Sequence, residues 1–499
     1  MYNYNQCNCC TIQLRSTFNC NWEGFLMIDL RDRVLGCFIG KNVGGTLGMP
    51  FEGSVLRPGI NFYTPVPEHP AANDDLDLQL VWLRLLEREH EVITFEKMAQ
   101  AFLKDIDCHW DEYGAALRNL ADGVVPGLSG IHNNYFTCGL GGAIRSEIWA
   151  TVFAGKIPTA AYYAMLDSSI DHTGDGVYGE VFNAAVESAI LSGADLSEAL
   201  KIGKAILPAD SQLKRLYDDL DVQWAKNGDF EALYNLVMQK YKSHNFTDVV
   251  MNGGFTYSAL LAGNGDFEKT VLLAVNCAHD ADCTAATAGA IIGSLIGARA
   301  IPARWKDAVN DRITVGSYIK ADNLPQSVTE LVDRVLVLQK HFSNVPDLPE
   351  INGVCQLQKY EDFSENRHFA VNNKSFTAAD MRLPLSKLNL PQGRELHITT
   401  RITLPENVQQ ANLLVATRGM FVAKIDGAMA ALKGDQSLPL PAPHRVLGGR
   451  IIPLPLYTGK REFDLDITIY PTVPIPDVYV NVYDWNNRHI KTEYKLIEQ

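Results

Sequence analysis

The sequence predicts two domains of unlike class, an all-α helical bundle followed by a small antiparallel β-sandwich. Three observations carry this. From about Met27 to His341 apolar residues recur at the helical period, beyond about residue 352 they alternate with period two, and a proline-bearing stretch, SNVPDLPEING at 343–353, divides the patterns. A chain of 499 residues has room for two to four domains of ordinary size.

In chain order, residues 1–26 come first. Cys7, Cys9, Cys10 and Cys20 crowd there without a second pair or a His pair at finger spacing. The stretch reads as a poorly ordered leader, with a small zinc or redox tail as the other reading. It has neither an apolar run of signal-peptide length nor an A-x-A pattern, so a reducing cytoplasm is the expected compartment. Residues 27–345 form the helical domain. Leu76, Leu80, Leu83 and Leu86 fall at i, i+4, i+7 and i+10, and DLSEALKIGKAIL and SVTELVDRVLVLQK repeat the amphipathic period. The segment Thr284 to Ile301 is nearly free of charge and carries Gly289, Gly293 and Gly297 at four-residue spacing, a close-packing helix face. Ala and Gly outnumber large apolar residues, Arg299 lies inside the run, and His279, Asp280 and Asp282 stand before it. That argues for a central bundle helix rather than a membrane span. In residues 352–499 Leu396, Ile398, Ile402 and Leu404 share one parity, as do Phe463, Leu465, Ile467 and Ile469, and then Val478, Val480 and Val482. These are expected to be half-buried strands, separated by proline clusters near 438–443 and 471–476.

Composition narrows the function classes. Hydrophobic residues make up 46% and charged residues 20%, which excludes global disorder. With 44 Lys plus Arg against 58 Asp plus Glu the net charge is −14, which argues against nucleic acid as a partner.

Two acidic constellations could carry chemistry. Asn73-Asp74-Asp75 precedes the leucine-patterned helix, where an Asn cap and first-turn acids are also ordinary helix chemistry. Asp280-Ala281-Asp282-Cys283-Thr284 precedes the glycine-striped helix. Two carboxylates against so tightly packed a helix repel unless a cation neutralises them, although first-turn acids explain this pattern too. Hard divalent ions such as Mg²⁺ or Mn²⁺ take carboxylate and hydroxyl oxygens, and the two acidic pairs together could hold one or two.

Five blocks occur in the order found in ADP-ribosylglycohydrolases: DRVLGCFIGKNVGGTLGMPFEG at 32–53, NDD at 73–75, GLGGAIR at 139–145, DHTGDGVYGEVFNAA at 171–185, and NCAHDADCTAATAGAIIG followed by IPARW at 276–305. Over about residues 30–340 the chain resembles this family, in particular its dinitrogenase-reductase-activating glycohydrolase type. The resemblance implies an orthogonal all-α fold with a dinuclear Mg²⁺ or Mn²⁺ centre in a cleft. It implies metal ligands at Asn73, Asp74, Asp75, Asp280, Asp282 and Cys283. Catalytic roles fall to Glu52, Asp280 and Asp282, and substrate contacts to Gly139, Gly141, Gly142, Arg145 and His172. Four departures accompany it. Asn73 and Cys283 stand where the family has Thr, Gly45 stands where relatives commonly have Asp, and Ala278-His279 replaces a Gly-Gly pair. A Cys sulfur is a poor partner for Mg²⁺, and Thr284, about 100° further round the helix, is no substitute. The expected activity is metal-dependent hydrolysis of the C1 glycosidic bond of an ADP-ribosyl or related ribosyl substrate. Hydrolysis of a different N- or O-glycoside, or a non-catalytic binding role, are the alternatives.

Overall fold

The computed structural model describes residues 29–89, 93–343, 365–385, 388–435, 450–470, 475–485 and 489–497. The Cys-rich leader, the proline cluster near 438–443 and residues 471–474 of the cluster at 471–476 lie outside the described residues, as does most of the dividing stretch. Fifteen α-helices run between Leu30 and Ser343 among the described residues: α1 (Leu30–Gly48), α2 (Asp74–Glu89), α3 (Phe95–Asp105), α4 (Asp111–Ala121), α5 (Glu147–Val152), α6 (Ile157–Ser168), α7 (Asp175–Leu191), α8 (Leu196–Ile206), α9 (Gln212–Asn227), α10 (Phe230–Lys240), α11 (Val249–Gly263), α12 (Phe267–Val275), α13 (Ala281–Ile296), α14 (Ala303–Val309) and α15 (Val328–Ser343). By contacts the chain divides into two units, one drawn from the described residues of Met1–Cys108 and Phe136–Gln356, the other from those of His109–Tyr135 and Leu357–Gln499. Residues 109–135, within the helical run of the sequence, thus group with the β unit.

The centre of the helical unit is a pair of glycine-faced helices. A methyl on Gly40 of α1 would lie 2.0 Å from the Gly289 carbonyl oxygen of α13, and one on Gly293 would lie 2.0 Å from the Gly36 carbonyl oxygen. The two backbones therefore touch directly, as the glycine spacing of α13 implies, and the matching stripe is Gly36, Gly40, Gly44 and Gly48 of α1. At the end of this seam Gly48 lies over Asp282, its absent Cβ only 2.3 Å from the Asp282 Cα. The seam delivers the end of α1 and the start of α13 to one place. No helix among the described residues is long and apolar enough to cross a membrane.

Among its described residues the second unit holds eleven strands: β1 (Arg367–Val371), β2 (Lys374–Ala378), β3 (Arg382–Leu383), β4 (Leu396–Thr403), β5 (Asn412–Thr417), β6 (Phe421–Ile425), β7 (Ala428–Lys433), β8 (Arg450–Pro453), β9 (Glu462–Ile469), β10 (Val478–Tyr483) and β11 (Glu493–Lys495). A seven-stranded sheet runs β2-β1-β4-β9-β6-β7 with β11 also on β4, and a four-stranded sheet runs β3-β10-β5-β8. All pairings are antiparallel. Leu396 faces Ile469, Ile398 faces Ile467 and Ile402 faces Phe463, so the apolar parities of β4 and β9 meet in one core with Val415, Val478 and Val480 of the other sheet. One expectation fails here. β10 is buried on both faces, because Tyr135 packs edge-on against Tyr479 and Arg118 of α4 lies over Tyr483. The 109–135 segment covers the face that period-two alternation assigns to water.

Candidate metal centre

Two loops and two helix starts build the site. After α1 the chain passes through a 3-10 turn, Met49–Phe51, to Glu52, and the next residues pair with the loop before α13. Gly53 N–H donates to the His279 carbonyl at 2.8 Å and His279 N–H to the Ser54 carbonyl at 2.7 Å. This pins exposed Glu52 beside Asp280 and Asp282, and one oxygen from each carboxylate lies within 4.8 Å of the other two. From the start of α2 comes Asp75, which forms a second such group with Asp282 and the Cys283 sulfur. Asp282 belongs to both.

Ordinary capping accounts for only part of this. Asp195, Asp229, Asp248 and Asp266, at the N-caps of α8, α10, α11 and α12, each accept a backbone N–H of their own helix. Asp280 holds the same position on α13, yet its side chain accepts none. Asn73 does behave as a cap: Oδ1 accepts from Asp75 N–H at 2.8 Å, and Nδ2 donates to Asp282 Oδ2 at 3.2 Å. Asp74, half-buried in the first turn of α2, is in neither three-residue group, though its charge helps push up the carboxyls of Asp280 and Asp282. Thr284 turns its hydroxyl back to the Asp280 carbonyl at 2.7 Å, away from a ligand role.

The electrostatics are one-sided. Burial raises the Asp282 carboxyl well above the usual carboxylate range, and Asp280, Glu52 and Asp75 raise it further. Burial also lifts the Asp280 carboxyl, and it lifts the Cys283 thiol with help from Asp280 and Asp282. A buried cation stands beside this group but on other carboxylates: Lys41 Nζ lies 3.1 Å from Asp75 Oδ1 and 2.8 Å from Glu147 Oε1. Burial works against that ammonium, but Glu147 and Asp75 outweigh it and hold it protonated. Gln79 ties the array together, donating to Glu147 Oε2 and to the Asp75 carbonyl, each at 2.7 Å. Sequence reasoning passed over Lys41 and Glu147, although Lys41 is the one Lys, Arg, Asp or Glu between Arg33 and Glu52 and so stands out in an otherwise uncharged glycine-rich run.

The donors fit a divalent cation. Asp282 is 2% exposed and its Oδ1 meets no hydrogen-bond donor among the described residues. A carboxylate oxygen in that state is costly unless a positive charge faces it, and Lys41 sits on Asp75 and Glu147 instead.

The glycine loop reaches the same region through α11. Gly139 pairs with Asp248, Val249 N–H donates to the Cys138 carbonyl, and Asn252 one turn on accepts from Asp280 N–H at 3.4 Å. The space beside Gly142 is taken by Ser168 and His172, at 2.9 and 3.3 Å from where its Cβ would be. Arg145 is wholly buried and spent on its own unit: it pairs with Asp167 at 2.8 Å, with both oxygens of Asp171 at 2.9 Å, and with the Gly141 carbonyl at 3.1 Å. Burial opposes ionisation of Asp171, but Arg145 and His172 outweigh it and draw the carboxyl down to about 2. Being ionised, Asp171 Oδ1 accepts from His172 Nδ1–H at 2.6 Å and so sets the tautomer of that buried ring.

The departures also have places. Ala278 and His279 both take left-handed backbone, at φ 65° and 60°, where glycine is at ease and other residues cost roughly 1–2 kcal/mol each. The His279 ring stacks on Phe255 at 5.7 Å. Beside Gly45, the Asn73 amide nitrogen lies 2.9 Å from where a Cβ would be, so Asn73 fills the room an Asp at 45 would need.

A family model described as ADP-ribosylglycohydrolase matches residues 27–341. An uncharacterized protein of Archaeoglobus fulgidus is 28% identical over 307 residues, covering 57% of this chain and 93% of its own. ADP-ribosylarginine hydrolase Tri1 of Pseudomonas putida is 27% identical over 208 residues, or 40% of this chain and 50% of its own, so the match spans half of that relative. A solved chain described as an ADP-ribosylglycohydrolase-related protein complex is 22% identical with a TM-score of 0.45, covering 62% of this chain and 98% of its own.

Proposed function

The chain belongs to the ADP-ribosylglycohydrolase family, and on that premise we propose that it is a metal-dependent hydrolase of the C1 glycosidic bond of an ADP-ribosyl or related ribosyl substrate, of the dinitrogenase-reductase-activating glycohydrolase type. The observation that carries the reading is Asp282, a buried carboxylate shared by two ligand groups and left with one oxygen that no donor among the described residues meets. Asp75, Asp280, Asp282 and Cys283, with Asn73 and Asp74 alongside, would hold one or two divalent ions, Mg²⁺ or Mn²⁺ being the hard ions that carboxylates favour. Bound there, such ions supply Lewis-acid grip on the vicinal ribose hydroxyls and a more acidic water.

The chain's own residues divide the remaining work. Glu52 is the exposed carboxylate of the set and stands on a loop fixed by two backbone hydrogen bonds, so it is the group to take a proton from the water attacking C1. His172, oriented by Asp171, and the backbone of Gly139, Gly141 and Gly142 form the wall for sugar or pyrophosphate. Arg145 acts behind that wall as a positioning residue, through Asp171.

A second reading, hydrolysis of another N- or O-glycoside, is favoured by His279, whose ring adds bulk beside the metal loop where relatives have glycine. The test is an assay of ADP-ribosyl-arginine, ADP-ribosyl-serine and a panel of furanosides with Mg²⁺ and with Mn²⁺. Metal-dependent turnover of an ADP-ribosyl compound supports the first reading, and turnover confined to other furanosides selects the second. No turnover and no thermal shift with either ion would leave a non-catalytic member of the family.

A further inference from the structure

We propose that the two ligand groups hold chemically unlike ions, and that the ion bound by Asp75, Asp282 and Cys283 is a thiophilic divalent cation of the Zn²⁺ or Co²⁺ kind rather than Mg²⁺. The inference rests on the metal-centre reading above and goes past it to the identity of one ion.

The donors set the argument. Glu52, Asp280 and Asp282 offer carboxylate oxygens alone, whereas the second group includes the Cys283 sulfur. Donors around one ion at 2.0–2.3 Å stand no more than about 4.6 Å apart, close to the 4.8 Å within which each group falls. The sulfur has no local substitute. Thr284 gives its hydroxyl to the Asp280 and Ala281 carbonyls, and Asn73 is committed to Asp75 N–H and to Asp282. The second, independent sign of a ligand is Asp282 Oδ1, which, in a residue 2% exposed, meets no donor among the described residues. Thiolate discriminates among ions: Mg²⁺ binds it poorly, while Zn²⁺ and Co²⁺ bind mixed sulfur and oxygen sets well. Coordination exchanges the S–H bond for a sulfur–metal bond and releases one proton to solvent. Lys41, fixed against Asp75, offsets part of the negative charge so collected.

The experiment is titration of the chelator-stripped full chain with Co²⁺, following near-ultraviolet sulfur-to-cobalt charge transfer, with bound metal counted by equilibrium dialysis. The expected result is a band that saturates at one equivalent of Co²⁺. In Cys283→Ser and Cys283→Thr the band is lost while Co²⁺ still binds and the far-ultraviolet circular dichroism is unchanged. Cys283→Thr should also bind Mg²⁺ at least tenfold more tightly than the wild-type chain. Binding of Co²⁺ without a band, or a band that persists in Cys283→Ser, overturns the inference and leaves the metal centre standing. Failure of Co²⁺, Mn²⁺ and Mg²⁺ alike to bind overturns the metal-centre reading itself.

Discussion

Lys41→Met keeps the length of a wholly buried side chain and removes its charge. The contacts to Asp75 and Glu147, at 3.1 and 2.8 Å, are each worth about 5–6 kcal/mol of attraction at an effective dielectric near 20. Desolvation of three charges offsets most of that. The net cost of leaving two buried carboxylates without their cation is about 3–5 kcal/mol. At roughly 2–4 °C per kcal/mol for a domain of this order of size, the variant should melt about 10 °C below wild type in EDTA. Calorimetry in EDTA and again with excess Mn²⁺ measures both parts of the argument. Metal should recover part of the deficit, since an ion on Asp75 replaces a positive charge there. Glu147→Gln in the same background should recover another part, because only Asp75 then lacks a cation. A Tm within one degree of wild type in EDTA would refute the reasoning, since Lys41 would then not be what keeps these acids ionised inside the fold.

Three further outcomes follow from the same geometry. Asp282→Asn should abolish turnover and the thermal response to Mg²⁺ and Mn²⁺ while circular dichroism stays unchanged; its Tm in EDTA should not fall, because the lost charge is one that burial and Asp280 disfavour. Gly40→Val would set a carbon 2.0 Å from the Gly289 carbonyl, forcing α1 and α13 apart at a cost of about 1–3 kcal/mol or more, so Tm and metal affinity should fall together, and wild-type affinity would contradict the role given to the seam. In the β unit, burial and the nearby His489 and Arg367 lower His132 to about 4 against the pull of Glu365 and Asp380. A base whose folded pKa is depressed contributes stability above its unfolded value near 6.5 and loses it as pH falls toward 4, a loss of about 3 kcal/mol at most. Unfolding of the β unit followed from pH 7 to 4 should show this decline, and His132→Gln should flatten it.

The helical class, the β class and the two acidic motifs were legible in the sequence because each depends on local period or adjacency. Leu76 to Leu86 on α2, and the paired parities of β4 and β9, needed only their own spacing. Three things were hidden because they depend on what lies far away in sequence. The burial of both faces of β10 comes from a segment some 350 residues earlier, which no alternation within β10 can announce. The pairing of Lys41 with Glu147 joins α1 to α5. The role of Arg145 is the third case: a glycine loop followed by Arg suggests an anion site, but Asp167 and Asp171 from the end of α6 and the loop after it claim the guanidinium.

The strongest argument for function lies where local preferences are broken together. Ala278 and His279 hold left-handed backbone that costs roughly 1–2 kcal/mol each. The next residue, Asp280, forgoes the cap bond that five other Asp N-caps among the described residues of the unit make, Asp29 of α1 included, a bond worth about 1 kcal/mol. Asp282, two residues on, keeps a buried oxygen that no donor among the described residues meets. Each could be tolerated alone in a stable fold. Their convergence on five consecutive residues, held in place by the glycine seam on one side and the Ser54–His279 pairing on the other, means that the fold maintains an arrangement its own interactions disfavour. Binding of a cation removes two of these costs at once, by facing the Asp282 oxygen and by giving the Asp280 carboxylate a partner better than its own helix. The energy released on metal binding should therefore be large relative to the number of ligands, and in Asp280→Ser, which can cap α13, the metal-free chain should gain stability while the metal-dependent rise in Tm shrinks.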